Sequence, residues 1–235
     1  MKLEMDWYSD IGGKEINEDS VGVFESDGGT LCVVADGLGG HVHGEIASRT
    51  TVQFLGQHIG GDLSADGLQD VIGRANRELV KLSAGKRMST TLAALWLSGG
   101  QALAATVGDT RIYQFRNGQI VFQSLDHSLA QLEMESEDCV YLDVRYHPAR
   151  SMLLRAVGME TGFRSDVTSL EYRQGDAFLL CTDGFWDHIF ESEMCGALQS
   201  AQTPQAWLEI MQAILGARQP DDCDNHTALA VMVTE

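Results

Sequence analysis

The chain has 235 residues, 44% of them hydrophobic and 21% charged, with a net charge of −18 and an isoelectric point near 4.6. That length suits one packed domain over 1–235, and the composition excludes a disordered chain. The acidity excludes nucleic acid or an anionic membrane as the main partner, and although it suits a protein that gathers divalent cations, solubility alone accounts for most of the excess carboxylates.

Residues 20–24 and 31–35 read as strands, the second an apolar run, Leu31 to Ala35, that stops at Asp36 and opens into a glycine-rich stretch. A helix is expected over 44–58. Leu68, Val71, Ile72, Ala75, Leu79 and Leu82 then share one face of a second, longer helix. Residues 91–97, 102–107, 111–115 and 119–123 read as strands separated by Gly-Gly, Gly108-Asp109 and Asn117-Gly118, and Asn-Gly between such runs predicts a hairpin. Residues 128–150 lose periodicity, carry Glu133, Glu135, Glu137 and Asp138, and read as a partly helical, exposed insertion. Strands return at 167–172 and 177–181. The last helix starts with Thr203 as cap and Pro204 at its first position, buries Trp207, Ile210, Met211, Ile214 and Leu215, and stops near Gly216 before a strand at 228–234. This order of blocks predicts an α+β fold, an α-β-β-α sandwich of two antiparallel sheets face to face flanked by helix pairs.

The five cysteines, Cys32, Cys139, Cys181, Cys195 and Cys223, form no C-x-x-C pair, and this scatter implies a reducing compartment. The opening MKLEMDWYSD carries no apolar leader, and no run approaches the roughly 18 to 20 apolar residues of a membrane span. A cytoplasmic location follows as an expectation.

An apolar run ending in Asp36-Gly37 is by itself a turn signal, but DAFLLCTDGFWD (176–187) repeats it at Asp183-Gly184. The two strand ends suggest two acidic groups meeting at one point. Glu18-Asp19, Asp109, Asp187 and Asp224 stand at further strand boundaries, and hard cations such as Mg²⁺ and Mn²⁺ take such oxygen ligands while keeping several waters.

Eight stretches occur in an order that resembles the metal-dependent protein phosphatases of type 2C, the PPM family. They are SDIGGKEINED (9–19), VVADGLGGH (33–41), MSTTL (88–92), VGDTRIY (107–113), DHSL (126–129), LLRAVG (153–158), LLCTDGFWD (179–187) and DNHT (224–227). The resemblance implies the four-layer fold and two Mn²⁺ or Mg²⁺ ions, with Asp36 bridging them, the Gly37 carbonyl serving one, and Asp183 and Asp224 holding the other. It implies a role for Glu18 and Asp19 in orienting water, a weaker third ion on Asp109, Asp183 and Asp187, and a variable flap at 128–150. The implied reaction is direct attack on phosphoserine or phosphothreonine by a hydroxide shared between the ions, without a phosphoenzyme. The implied partners are a phosphorylated protein substrate of a monomeric enzyme, a cognate serine/threonine kinase and a forkhead-associated protein, in some relatives within type VI secretion clusters.

Two positions depart from the family. Lys14 replaces an arginine that binds substrate phosphate, exchanging a bidentate fork for a point charge. Leu38 replaces a histidine of eukaryotic members and points to a bacterial subtype. Other motifs carry less. His41 and His43 lack a third zinc ligand, and Gly85-Lys86 fails as a P-loop at Val80 and Arg87. His127 reads as a loop anchor, Trp186 as packing and Arg155 as a structural ion pair. A catalytically silent binding module of the same fold and a phosphohydrolase of small metabolites are the alternative functions.

Overall fold

The computed structural model describes residues 1–38, 42–61, 63–135, 142–218 and 222–234. One sheet runs β1 (Leu3–Asp10), β11 (His226–Val233), β10 (Ala177–Cys181), β7 (Arg111–Arg116) and β8 (Gln119–Gln123). The other runs β2 (Asp19–Ser26), β3 (Gly29–Leu38), β5 (Leu92–Ser98), β6 (Gln101–Val107) and β9 (Asp166–Glu171), with β4 (Ser89–Thr90) paired to the end of β3. Every pairing in both sheets is antiparallel. The helices are α1 (Val42–His58), α2 (Ala65–Ser83), α3 (Leu129–Met134), α4 (Asp183–Trp186), α5 (Glu191–Ser200) and α6 (Pro204–Gly216).

The apolar runs are continuous because both faces of each sheet are covered. In β3, Cys32 and Val34 pack between the sheets against Phe178, Leu180 and Leu229, while Leu31 and Val33 point the other way onto Leu68, Ile72 and Leu79 of α2. β10 repeats the arrangement, with Leu179 and Cys181 meeting Trp207, Met211 and Leu215 of α6. The four layers follow from this alternation. The β7–β8 hairpin turns through Asn117 and Gly118, both at positive φ (53° and 70°), as an Asn-Gly two-residue turn requires.

The structure differs from expectation in four places. β1 is a full edge strand paired with β11 from Leu3↔Val233 to Asp10↔His226. Its alternation is blurred because Trp7 is exposed while Leu3 and Met5 reach the core. α5 was hidden because it buries only Met194 and Ala197. Leu82, expected on the buried stripe of α2, is half exposed in the last turn.

The insertion at 128–150 is not the exposed segment its composition predicts. Leu142 and Tyr146 are exposed, but Val144, Arg145 and His147 are buried. Arg145 donates to the carbonyls of Trp186 (2.9 Å) and Ile189 (3.1 Å) and to Glu191 (2.8 Å), which pins the flap to the turn after β10. Cys139, Glu137 and Asp138 lie outside the described residues.

Candidate active site

The register of β2 and β3 places Asp19 directly opposite Asp36. The Asp36 backbone is held on both sides by β4 and the residue that follows it. Its N–H donates to Thr91 Oγ1 (2.9 Å), and its carbonyl accepts from Thr90 Oγ1 and the Thr91 N–H, both at 2.8 Å. At the end of β10, Thr182 Oγ1 donates to Asp19 Oδ2 (3.0 Å) and accepts the Thr227 N–H (2.9 Å), so one hydroxyl joins β2, β10 and β11. Asn225 closes the ring. Its Oδ1 accepts the Glu18 N–H (2.8 Å), and its amide donates to the carbonyls of Ile11 and Ile16.

These supports surround a cavity of about 460 Å³ walled by Glu18, Asp36, Gly37, Asp109, Asp183 and Asp224, with Lys14 and Leu38 at its side. Ser151 and Leu153, just after the flap, also line it, with Glu15, Ile16 and Asn225. The cavity is thus the meeting point of strand ends from both sheets, as the repeated Asp-Gly suggested.

Like charges crowd here. Asp36 and Asp183 line the same cavity, close enough for each to perturb the other. Burial, and then the neighbouring Asp19, Asp183, Asp109 and Asp224, push the Asp36 carboxyl well above the usual carboxylate range. Burial and Asp224 raise Asp183, and burial and Asp183 raise Asp109. Asp19 is pushed up to about 7, mainly by burial, against hydrogen bonds from Thr227 and Thr182 that lower it. Asp19 Oδ1 and Asp183 Oδ1 are buried without a hydrogen-bond donor. Acceptor oxygens in that condition fit a cation. Among the described residues no ready-made cage of three or more His, Cys, Asp and Glu side chains is present.

Most of the expected residues converge. Lys14 Nζ lies 3.5 Å from Asp224 Oδ1 and lines the cavity. Asp19 stands behind the wall, bonded to Thr182. Asp187 is not among the cavity-lining residues, and its carboxylate is ion-paired with Arg150 of the flap, which leaves Oδ1 buried without a partner. Gly39, Gly40 and His41 lie outside the described residues. Thr182, Asn225, Ser151 and Leu153 were missed. Thr182, Asn225 and Leu153 sit inside quoted motifs, and for the first two a hydroxyl or amide beside a buried carboxylate was the available signal.

The sandwich and its carboxylate-lined cleft are those of a metal-dependent phosphatase. Residues 8–230 match the profile of the family described as protein phosphatase 2C. The serine/threonine phosphatase stp of Listeria monocytogenes serotype 4b is 33% identical over 227 residues, which cover 92% of this chain and 89% of that protein. The S. agalactiae serine/threonine phosphatase superposes with a TM-score of 0.88 at 27% identity over 99% of this chain and 100% of the other. The catalytic domain of the serine/threonine protein phosphatase PstP, solved in complex with two manganese ions, superposes at 0.84 with 25% identity over 99% of each chain. The chain belongs to the protein phosphatase 2C family. It is an enzyme, a protein serine/threonine phosphatase of the bacterial kind.

Gly184 tests how tightly the cleft is closed. A Cβ there would sit 2.1 Å from the Asn225 carbonyl oxygen, a backbone atom that cannot swing aside. Gly184→Ala is expected to cost about 1–3 kcal/mol in chemical denaturation and to lower turnover at least about tenfold by parting Asp183 from Asp224. Gly196→Ala in α5, where a Cβ meets nothing within 4 Å, is the control and should leave stability equal or raised by about 1 kcal/mol with full turnover.

Proposed function

We propose that two divalent ions, Mn²⁺ or Mg²⁺, bind in the cleft and that the enzyme hydrolyses phosphoserine and phosphothreonine on proteins by direct attack of water. The observation that carries this is the convergence of Asp36, Asp109, Asp183 and Asp224 on one cavity, beside buried carboxylate oxygens that have no donor. The manganese held by the PstP catalytic domain supports Mn²⁺. When bound, the ions supply an activated water and neutralise charge on the phosphoryl oxygens.

The chain's own residues do the rest. Asp36 would be shared by the two ions, the Gly37 carbonyl would serve one of them, and Asp183 and Asp224 would hold the other. Glu18, in the cavity wall, and Asp19, behind it, orient water, with Asp19 fixed by Thr182. Lys14 binds the substrate phosphate as a point charge, and Leu38 offers no proton, so the leaving group takes its proton from solvent in the cleft. A third, weaker ion on Asp109 and Asp183 requires Asp187 to leave Arg150. The open cleft suits a monomer acting on phosphoproteins made by a cognate kinase, with a forkhead-associated protein as a further partner. Free thiols at Cys32, Cys181, Cys195 and Cys223 support a cytoplasmic site of action.

Four measurements test this. With p-nitrophenyl phosphate, turnover should require Mn²⁺ or Mg²⁺, stop with EDTA, and fall by more than about 100-fold in Asp36→Asn; an Asp36→Asn enzyme with normal Mn²⁺ binding and full rate removes the assignment. Phosphothreonine peptides should outrank sugar phosphates, and the reverse order would make this a metabolite phosphatase.

Lys14→Arg should lower KM at similar kcat, because a guanidinium grips phosphate bidentately. An unchanged KM would show that Lys14 does not touch phosphate.

Protons and cations compete for the same oxygens. With Asp19 raised to about 7 and Asp36 and Asp183 raised as well, Mn²⁺ affinity should weaken as pH falls from about 8 to about 6, each binding event releasing protons. Carboxyls of ordinary pKa, near 3.9, would release none in that window. Calorimetry in buffers of different ionisation heat reads the difference directly.

A further inference from the structure

The Gly108–Asp109 turn carries a cavity carboxylate yet lies at a strand end, where the backbone must be held by something other than a ladder. His127 holds it from both sides. The His127 N–H donates to the Gly108 carbonyl (2.8 Å), and the Gly108 N–H donates to His127 Nδ1 (3.1 Å). An Nδ1 that accepts carries no proton, so the ring hydrogen sits on Nε2, which faces Asp166 Oδ2 at 3.2 Å. Arg155 in turn binds the other oxygen of Asp166 (2.8 Å), and Arg164 stands 3.6 Å from it. The ring is buried, and burial together with Arg155 lowers its pKa against the opposing pull of Asp166 and Asp126, which favours the neutral form. On the far side of the turn, the Trp186 indole N–H donates to the Asp109 carbonyl (2.9 Å).

We propose that His127, as the Nε2–H tautomer fixed by Asp166 and Arg155, is a positioning residue that sets the Asp109 carboxylate over the cleft and so tunes the ion Asp109 serves. This rests on the reading of Asp109 as a metal ligand. It gives a role to the chain that runs from Arg155 through Asp166 and His127 to Gly108. His127 touches neither substrate nor ion; it acts through the backbone of Gly108.

The test separates the two interactions of the ring. In His127→Asn the amide oxygen occupies the place of Nδ1 and keeps the Gly108 N–H bonded, but the side chain stops short of Asp166. His127→Ala loses both. Mn²⁺ binding is read by electron paramagnetic resonance of the free ion, without substrate. His127→Ala should weaken the weakest Mn²⁺ by about tenfold, and His127→Asn should stay within about threefold of the unmodified enzyme. In Asp109→Asn, His127→Ala should add nothing further, since the two act as one unit. Should His127→Ala fail to fold, His127→Gln replaces it: its amide reaches toward Asp166 and leaves the Gly108 N–H without its acceptor, so the same loss is expected.

Asn behaving like Ala overturns the proposal, as do additive losses in the double variant, which would leave Asp109 a ligand. Asp109→Asn with unaltered Mn²⁺ binding overturns both this proposal and the ligand assignment beneath it.

Discussion

Two carboxyls that line one cavity, Asp36 and Asp183, set the terms for everything around them. Both are drawn from strand ends of different sheets, and burial plus their acidic neighbours make the doubly ionised state costly. Such a pair would relax apart if the backbones carrying it were free. The structure denies that freedom by fixing main-chain groups: Thr90 and Thr91 clamp Asp36, Thr182 ties β10 to β11 and to Asp19, and Asn225 ties its own loop to Glu18 and to Ile11. The supports are neutral hydroxyls and amides. They hold position without cancelling the charge that the cleft needs for cations.

The positive charges lie one layer further out. Arg111, buried, forms a two-pronged pair with Asp126 (2.8 and 2.7 Å) and lays its guanidinium 3.4 Å from the Trp186 ring centre. Only a planar, weakly hydrated cation does both at once, so lysine would not substitute. The same indole holds the Asp109 carbonyl, and Arg145 caps the Trp186 carbonyl from the flap. The flap is thereby fastened to the turn that presents Asp183. Removing Arg145 would take the donor from two carbonyls and leave Glu191 to Tyr113 and Arg111, a larger loss than the pair's net worth.

Legibility followed burial. β3 and β10 were plain because strands covered on both faces need unbroken apolar runs, and the Asp-Gly that ends each run marked the cleft. β1 and α5 were obscure because an edge strand and a helix with only two buried residues impose little pattern. Periodicity could not distinguish Asp19 behind the wall from Asp36 in it, since that depends on which strand lies across. Nor could it show that Asp187 faces Arg150: the contact spans 37 residues and belongs to packing of the insertion. His127 was legible as an anchor, but what it anchors is a fact of tertiary structure.

Charge in the cleft also orders its events. Among the described residues lining it, Lys14 is the sole cation against Glu15, Glu18, Asp36, Asp109, Asp183 and Asp224. A phosphate monoester approaching that wall meets like charge on nearly every side, and Lys14 already lies near Asp224. On the two-ion reading, bound cations invert the local potential, so substrate affinity and metal affinity are linked, and each must strengthen the other by the same factor. Lysine in place of a bidentate arginine sharpens that dependence, because less of the phosphate's binding energy comes from the protein alone. The cleft is then a site whose substrate contacts are completed by its ions, and the buried carboxyls that make the empty cleft electrostatically unfavourable are what give metal and substrate their mutual dependence.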